Sequence, residues 1–199
     1  MRKGMLAIVL AACAACGGGG GSGSGSGGGG GGSGSASVNG TIGGQSMSPR
    51  DAISNVLRNS TDSVGIIFIS SADSLCAKIN ARQQPRNMQV MVIEIGTQSS
   101  TAAAAPAGPG VFPVYSSIDS TAVVGPLAIA FFLSSNASCR QTASFESATG
   151  GNVTLTRVDA SGYAGTFDLT FSGGAGQVTG SFSTGRCTAL RTNLGGTCT

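Results

Sequence analysis

The chain has no histidine and no tryptophan, and only 10% of its 199 residues are charged. Without histidine, neither a Ser–His–Asp nor a Cys–His catalytic site can be assembled. The serine-nucleophile frames GxSxG and SxxK are missing too. A zinc site would have to use cysteines and carboxylates alone, and the four cysteines Cys76, Cys139, Cys187 and Cys198 contain no CxxC pair. No DxDxDG calcium loop occurs. Eleven Lys/Arg stand against eight Asp/Glu, a net charge of +3. Two of those cations, Arg2 and Lys3, sit at the extreme N-terminus, so the rest of the chain is close to neutral. That balance argues against nucleic acid as a partner. No apolar run reaches the roughly 20 residues needed to cross a bilayer of about 30 Å as a helix.

The acids are scattered. Asp51, Asp62, Asp73, Glu94, Asp119, Glu146, Asp159 and Asp168 form no motif. Asp168 alternates outward in a strand pattern and reads as solvated. Glu94 interrupts an apolar strand, and is either an outward position or one end of a buried pair. A carboxylate pair for glycoside hydrolysis needs two groups about 5–10 Å apart, which a sequence neither shows nor excludes. Arg82 and Arg86, in a polar loop around Pro85, make the densest positive patch and read as solvated charges.

What the chain has in abundance is glycine, 34 residues, and an N-terminus of distinctive order. Arg2 and Lys3 precede the nine apolar or small residues Gly4 to Ala12, which match the core of a signal peptide. Leu10-Ala11-Ala12-Cys13 closes that run. An aliphatic residue, two small residues and a cysteine resemble the lipobox of bacterial lipoproteins. The resemblance implies that the Cys13 thiol is diacylated, that the chain is cut before it, and that the new amino group is acylated. Cys16, preceded by Ala14 and Ala15, is the alternative site. Ala14 in place of an aspartate after Cys13 implies the outer membrane. Burial of acyl chains is worth about 0.8 kcal/mol per CH₂, and two or more chains anchor stably.

Gly17 to Ser35 holds fourteen Gly and five Ser and nothing else. Such a segment buries no apolar surface and is expected to be a disordered tether, with an r.m.s. span of about 25 Å. Its GxGxxG matches are trivial, because no strand precedes and no helix follows. The expected organisation is therefore a signal peptide over residues 1–12, a lipidated N-terminus and tether over 13–37, and a globular domain over 38–199.

The domain is rich in Thr, Val, Ile, Phe and Gly, which favours strands and turns. Residues 64–69 (VGIIFI) form a continuous apolar run, expected as a central buried strand. Residues 88–95 and 111–115 are further strands, with a flexible loop of small residues over 98–110 between them. Residues 122–133 are the most apolar stretch, where Leu127, Ile129, Phe131 and Leu133 alternate with Ala128, Ala130 and Phe132. Phe167, Leu169 and Phe171 alternate with Thr166, Asp168 and Thr170 in the clearest period-2 signal. Gly173-Gly174 then turns the chain towards Val178 and Phe182. Ser48 to Arg58 fits either a capped helix or a strand, and its β-like surroundings favour the strand. Residues 72–81 read as a helix with Asp73 as N-cap and Cys76 on its buried side. The expected fold is mainly β, an antiparallel sandwich or partly closed barrel with one short helix.

Cys76, Cys139, Cys187 and Cys198 follow the anchor pair, and an even number in an exported chain reads as disulfides. Cys187 and Cys198 flank a short loop containing Gly195-Gly196 and would pin the C-terminus. That leaves Cys76 with Cys139. Sequons begin at Asn39, Asn59, Asn136 and Asn152, and the lipoprotein resemblance implies that they are unused. The expected function is a lipid-anchored cell-envelope protein with a non-catalytic β domain serving binding, adhesion or structure. Its partners would be the membrane and an envelope protein or polysaccharide, with no cofactor. The alternatives are a carboxylate-based hydrolase of envelope polymers and a subunit that pairs through a sheet edge.

Overall fold

The computed structural model describes residues 32–116, 123–142, 145–172, 177–190 and 196–199. Cys13, Cys16, Asp119 and the Gly173-Gly174 turn lie outside them. The chain opens with β1 (Ser35–Asn39) and a minimal hairpin of β2 (Thr41–Ile42) and β3 (Gln45–Ser46). β4 (Asp51–Arg58) and β5 (Ser63–Ser70) follow, then the six-residue helix α1 (Leu75–Asn80) and β6 (Gln83–Gln84). Next come β7 (Gln89–Gln98), β8 (Ala103–Ala104), β9 (Gly110–Pro113) and β10 (Gly125–Ser134). β11 (Glu146–Asp159), β12 (Gly162–Phe171), β13 (Gln177–Ser183), β14 (Gly185–Arg186) and β15 (Thr197–Cys198) complete it.

The main sheet runs β1-β13-β12-β11-β10-β7-β5-β4-β14, with β8 added to β7 and β9 to β11. It curls into a half-barrel, the more closed of the two expected forms. The ladders along this path are antiparallel except for β14 on β4, which is parallel. β13 runs through Thr184 straight into β14, so one strand passes its hydrogen bonding from β12 to β4 and draws the two ends of the sheet together.

Two apolar clusters sit on opposite faces of the curled sheet. The concave face gathers Ile67, Ile69, Ile93, Ile95, Ala130 and Phe132, and meets Phe167, Leu169, Phe171, Val178 and Phe182 from the other wall. The convex face of β4, β5, β7 and β10 gathers Ile53, Ile66, Phe68, Val92, Leu127 and Ile129. The second cluster explains the continuous apolar runs: these strands are buried on both sides, so they lack a wet face. β12 and β13 keep one wet face, and there the alternation is clean.

The Ser48–Arg58 ambiguity resolves as a strand. Ala52 packs on the concave side and Ile53 and Leu57 on the convex side, a split that a helix would not give. The helix after β5 is shorter than its sequence pattern, and Asp73 does not cap it. Ser74 adopts a left-handed conformation (φ 50°) and caps nothing with its side chain. Asp73 pairs with Lys78, while the first helical N–H, that of Leu75, donates to Asp51 Oδ2 at 2.7 Å. Asp51 Oδ1 accepts the Gly34 N–H at 3.0 Å. One buried carboxylate on β4 therefore caps the helix and holds the N-terminal chain.

The domain also begins before residue 38. β1 starts at Ser35, and Gly34 lies so close to the sheet that a Cβ would sit 2.2 Å from the Ala52 carbonyl oxygen and 2.3 Å from that of Ser183. Only glycine fits there, so the last residues of the Gly/Ser tract belong to the fold. The 98–110 loop is likewise held. Ala103 and Ala104 pair with β7, the Ala103 N–H donates to Asp62, and the Ala105 N–H donates to Ser63 Oγ.

The expected disulfide pairing is overturned. Cys76 bonds Cys187, with Cα atoms 5.6 Å apart, and Cys139 bonds Cys198, at 5.7 Å. The cause is the parallel pairing of β14 with β4. It lays Cys187 across the convex face, where its N–H donates to the Ser54 carbonyl at 2.8 Å, beside α1. The chain end instead pairs with β6, whose Gln84 Nε2 donates to the Cys139 carbonyl. Non-reducing peptide mapping is expected to recover these two linkages. Their separations of 111 and 59 residues give both a large loop-closure effect. Replacing Cys76 and Cys187 by Ser is expected to cost about 4 kcal/mol, more than the same change at the shorter, more exposed pair, as read by denaturant titration.

Candidate functional site

Most of the described acids have local structural employment. The Ala103 N–H beside Asp62, together with Thr61, holds that carboxyl below the usual carboxylate range. Lys78 does the same for Asp73, and the Ser161 hydroxyl and N–H do so for Asp159. Asp168 accepts Gln177 Nε2 on the neighbouring strand at 2.7 Å. Among the described residues, no group of three or more His, Cys, Asp or Glu is placed to hold a metal.

The loop carrying Arg82 and Arg86 proves to be a joint. The Arg82 carbonyl accepts the Thr197 N–H at 2.8 Å, and the Arg86 N–H donates to the Thr199 carbonyl at 3.1 Å. Its two arginine side chains remain exposed. Asn59, the start of a sequon, is a turn former: its Oδ1 accepts the N–H groups of Thr61 and Asp62.

Glu94 is the exception among the acids. It sits on β7 between Ile66 of β5 and Ile129 of β10, on the convex face, and is 4% exposed. Among the described residues, no donor or cation reaches its carboxyl. Desolvation alone pushes its pKa up from 4.5 to about 7. Of the two sequence options, exposure to solvent is excluded, and among the described residues Glu94 has no charged partner beside Ile66 and Ile129.

The other notable place is the seam where β13 becomes β14. Thr184 is buried there. Its hydroxyl donates to the Tyr163 carbonyl at 3.0 Å, accepts the Tyr163 N–H at 2.8 Å, and lies 2.7 Å from Ser54 Oγ. With the proton committed to the carbonyl, the Ser54 hydroxyl is the donor of that last bond. Gly162 is required at this point. Its φ is +137°, and a Cβ would lie 2.6 Å from both the carbonyl and the hydroxyl oxygen of Thr184. A cleft of about 690 Å³ opens over the seam, lined by Gly32–Ser35, Arg157, Ser161, and Ser183–Arg186. Arg157 Nη2 approaches the Thr184 carbonyl at 3.5 Å and its Nε stands 3.4 Å from Asp159 Oδ2. That Nε is buried and makes no well-aligned hydrogen bond. Arg186, half-buried on β14, has no ion pair among the described residues. The cleft thus presents two guanidinium groups, serine hydroxyls and exposed backbone. That set suits the recognition of anions or hydroxylated polymers.

Sequence reasoning missed this cleft, because its residues come from three separated segments and no local pattern links them. Compared with known proteins, the chain matches no protein-family model, no curated protein and no solved structure.

The raised pKa of Glu94 makes a prediction with a definite sign. The folded state holds the proton more tightly than the unfolded state, so ionisation opposes folding. The penalty is absent below pH 4.5, grows as pH rises towards about 7, and is constant above that. Glu94→Gln is expected to raise unfolding free energy by about 3 kcal/mol at pH 8 and to change it little at pH 4. Denaturant titrations of both proteins at the two pH values check this. An equal effect at both would mean that the carboxylate is compensated when charged.

Proposed function

We propose that this chain is a lipid-anchored cell-envelope protein whose β domain binds or builds and does not catalyse. The carrying observation is the order Arg2-Lys3, a nine-residue apolar run, then Leu10-Ala11-Ala12-Cys13. Two disulfides tying distant parts of the domain support an oxidising compartment. The docking of Gly34 and β1 into the sheet supports a tether that ends in a firm mechanical joint, as an anchored domain needs.

The non-catalytic part rests on chemistry. Six of the seven described acids are isolated or engaged locally, and the remaining one, Glu94, is buried between Ile66 and Ile129. The cleft at the seam carries cations and hydroxyls, which suit recognition. Self-pairing through a sheet edge gains little support: the terminal strands are the short polar β1 and the two-residue β14.

Metabolic labelling tests the anchor. Labelled palmitate is expected to enter the protein in cells, and to be lost when Cys13 and Cys16 are both replaced by Ala. Single replacements assign the site, with Cys13→Ala alone expected to abolish labelling. Label that persists in the double variant would refute the anchor.

A further inference from the structure

The seam cleft has one property that its lining alone does not explain. Its wall is built in part from Gly32 to Ser35, the point at which the N-terminal chain enters the domain. Only eighteen residues separate Gly32 from Cys13. Even fully extended, that length spans no more than about 65 Å, and the tether expected from its Gly/Ser composition would average far less, about 25 Å. A group anchored at Cys13 therefore keeps this mouth of the domain, and no other surface so directly, near the lipid.

The charge at the mouth is complementary to such a surface. Arg157 and Arg186 both line it. Among the described residues, the acid in an ion pair with either is Asp159: it stands 3.4 Å from Arg157 Nε, but its Oδ1 is occupied by Ser161 and the Gly162 N–H. That leaves Arg186 and the outer edge of Arg157 for an incoming anion. A guanidinium fork suits the paired oxygens of a phosphate diester. The hydroxyls of Ser33, Ser35 and Ser161 add neutral donors around the same mouth.

We propose that this cleft docks the domain onto its own membrane by taking the phosphate of a phospholipid headgroup between Arg157 and Arg186. The inference rests on the anchor proposed above. Two arginines would hold a free protein on a membrane only weakly, roughly fivefold for each near an anionic leaflet. A short tether changes the outcome, because it converts docking into an intramolecular event at an effective concentration on the order of millimolar. The contact is electrostatic and weakens as salt rises.

The test uses the processed, lipidated chain in nanodiscs of phosphatidylcholine containing phosphatidylglycerol, with hydrogen exchange read at residues 32–35 and 183–186. Intact mass of the same sample reports acylation separately, so an unlipidated chain would refute the anchor without bearing on the cleft. The expected result is at least fivefold slower exchange in these nanodiscs than in neutral detergent, reversed by high salt. Arg157→Gln/Arg186→Gln is expected to lose that protection, with acylation and thermal stability retained. Arg140→Gln, outside the cleft, is expected to keep it. If the double variant unfolds, Arg186→Gln alone is read, with partial loss expected. Equal exchange in nanodiscs and detergent would overturn the proposal. So would full protection in detergent by inorganic phosphate alone, which would assign the cleft to a free ion. Protection by a soluble anionic polysaccharide but not by the nanodisc would overturn it in favour of an envelope polymer.

Discussion

The whole structure answers to one constraint: the strands β4, β5, β7 and β10 are apolar on both faces. Curling the sheet buries only the concave face. The convex face exposes a row of Ile, Val and Phe that water would penalise by about 25 cal/mol per Å² left uncovered. Among the described residues the main cover is a helix of six residues and the chain that follows β14, with Tyr115 and Val123 packed beside them. Neither could stay in place through its own packing, since a helix that short is unstable alone. Cys76–Cys187 bonds these two pieces of cover to each other across the sheet, and Cys139–Cys198 fixes the chain end beyond them. The disulfides are thus what makes a doubly apolar sheet tolerable in so small a domain.

Closure of the curl is achieved with polar atoms. Asp51 gathers the N–H groups of Gly34 and Leu75, and Thr184 joins Tyr163 to Ser54. Apart from the half-buried Gly34, each of these groups is buried and would be costly if unpaired. Their directionality fixes a register that greasy side chains alone leave loose. The Tyr163 hydroxyl is a contrast. It is buried with no partner among the described residues, and Gly65 makes room for it, since a Cβ there would lie 2.9 Å away.

What the sequence made legible was whatever depends on near neighbours. β5 and β12 announce themselves through an apolar run and a period of two, because burial on two faces or one is written directly into successive residues. Ser48–Arg58 was harder, since Ile53, Val56 and Leu57 fit a helical face as well as a strand. The disulfide pattern was out of reach. It depends on β14 lying parallel to β4, a contact between residues some 130 apart in sequence. Nearness in sequence favoured Cys187 with Cys198, and the topology separated them. The helix cap failed for a related reason. Asp73 stands where a cap belongs, yet the donor is satisfied by Asp51, 24 positions earlier. The cleft at the seam joins residues 32–35, 157–161 and 183–186, and only the curl of the sheet makes them neighbours.

The way β1 joins the sheet decides how the domain responds to a pull. Any tension arriving along the N-terminal chain enters at Ser35 and runs down a strand whose five residues are all paired with β13, from Ser35 opposite Ser183 to Asn39 opposite Thr179. Load applied along that axis stretches the ladder in shear, so its bonds resist together and do not unzip one at a time. The far end of the polypeptide is sewn down by Cys139–Cys198, which denies a rupture the easy route of peeling from the C-terminus. A domain built this way can be pulled from its N-terminal side and still keep its shape.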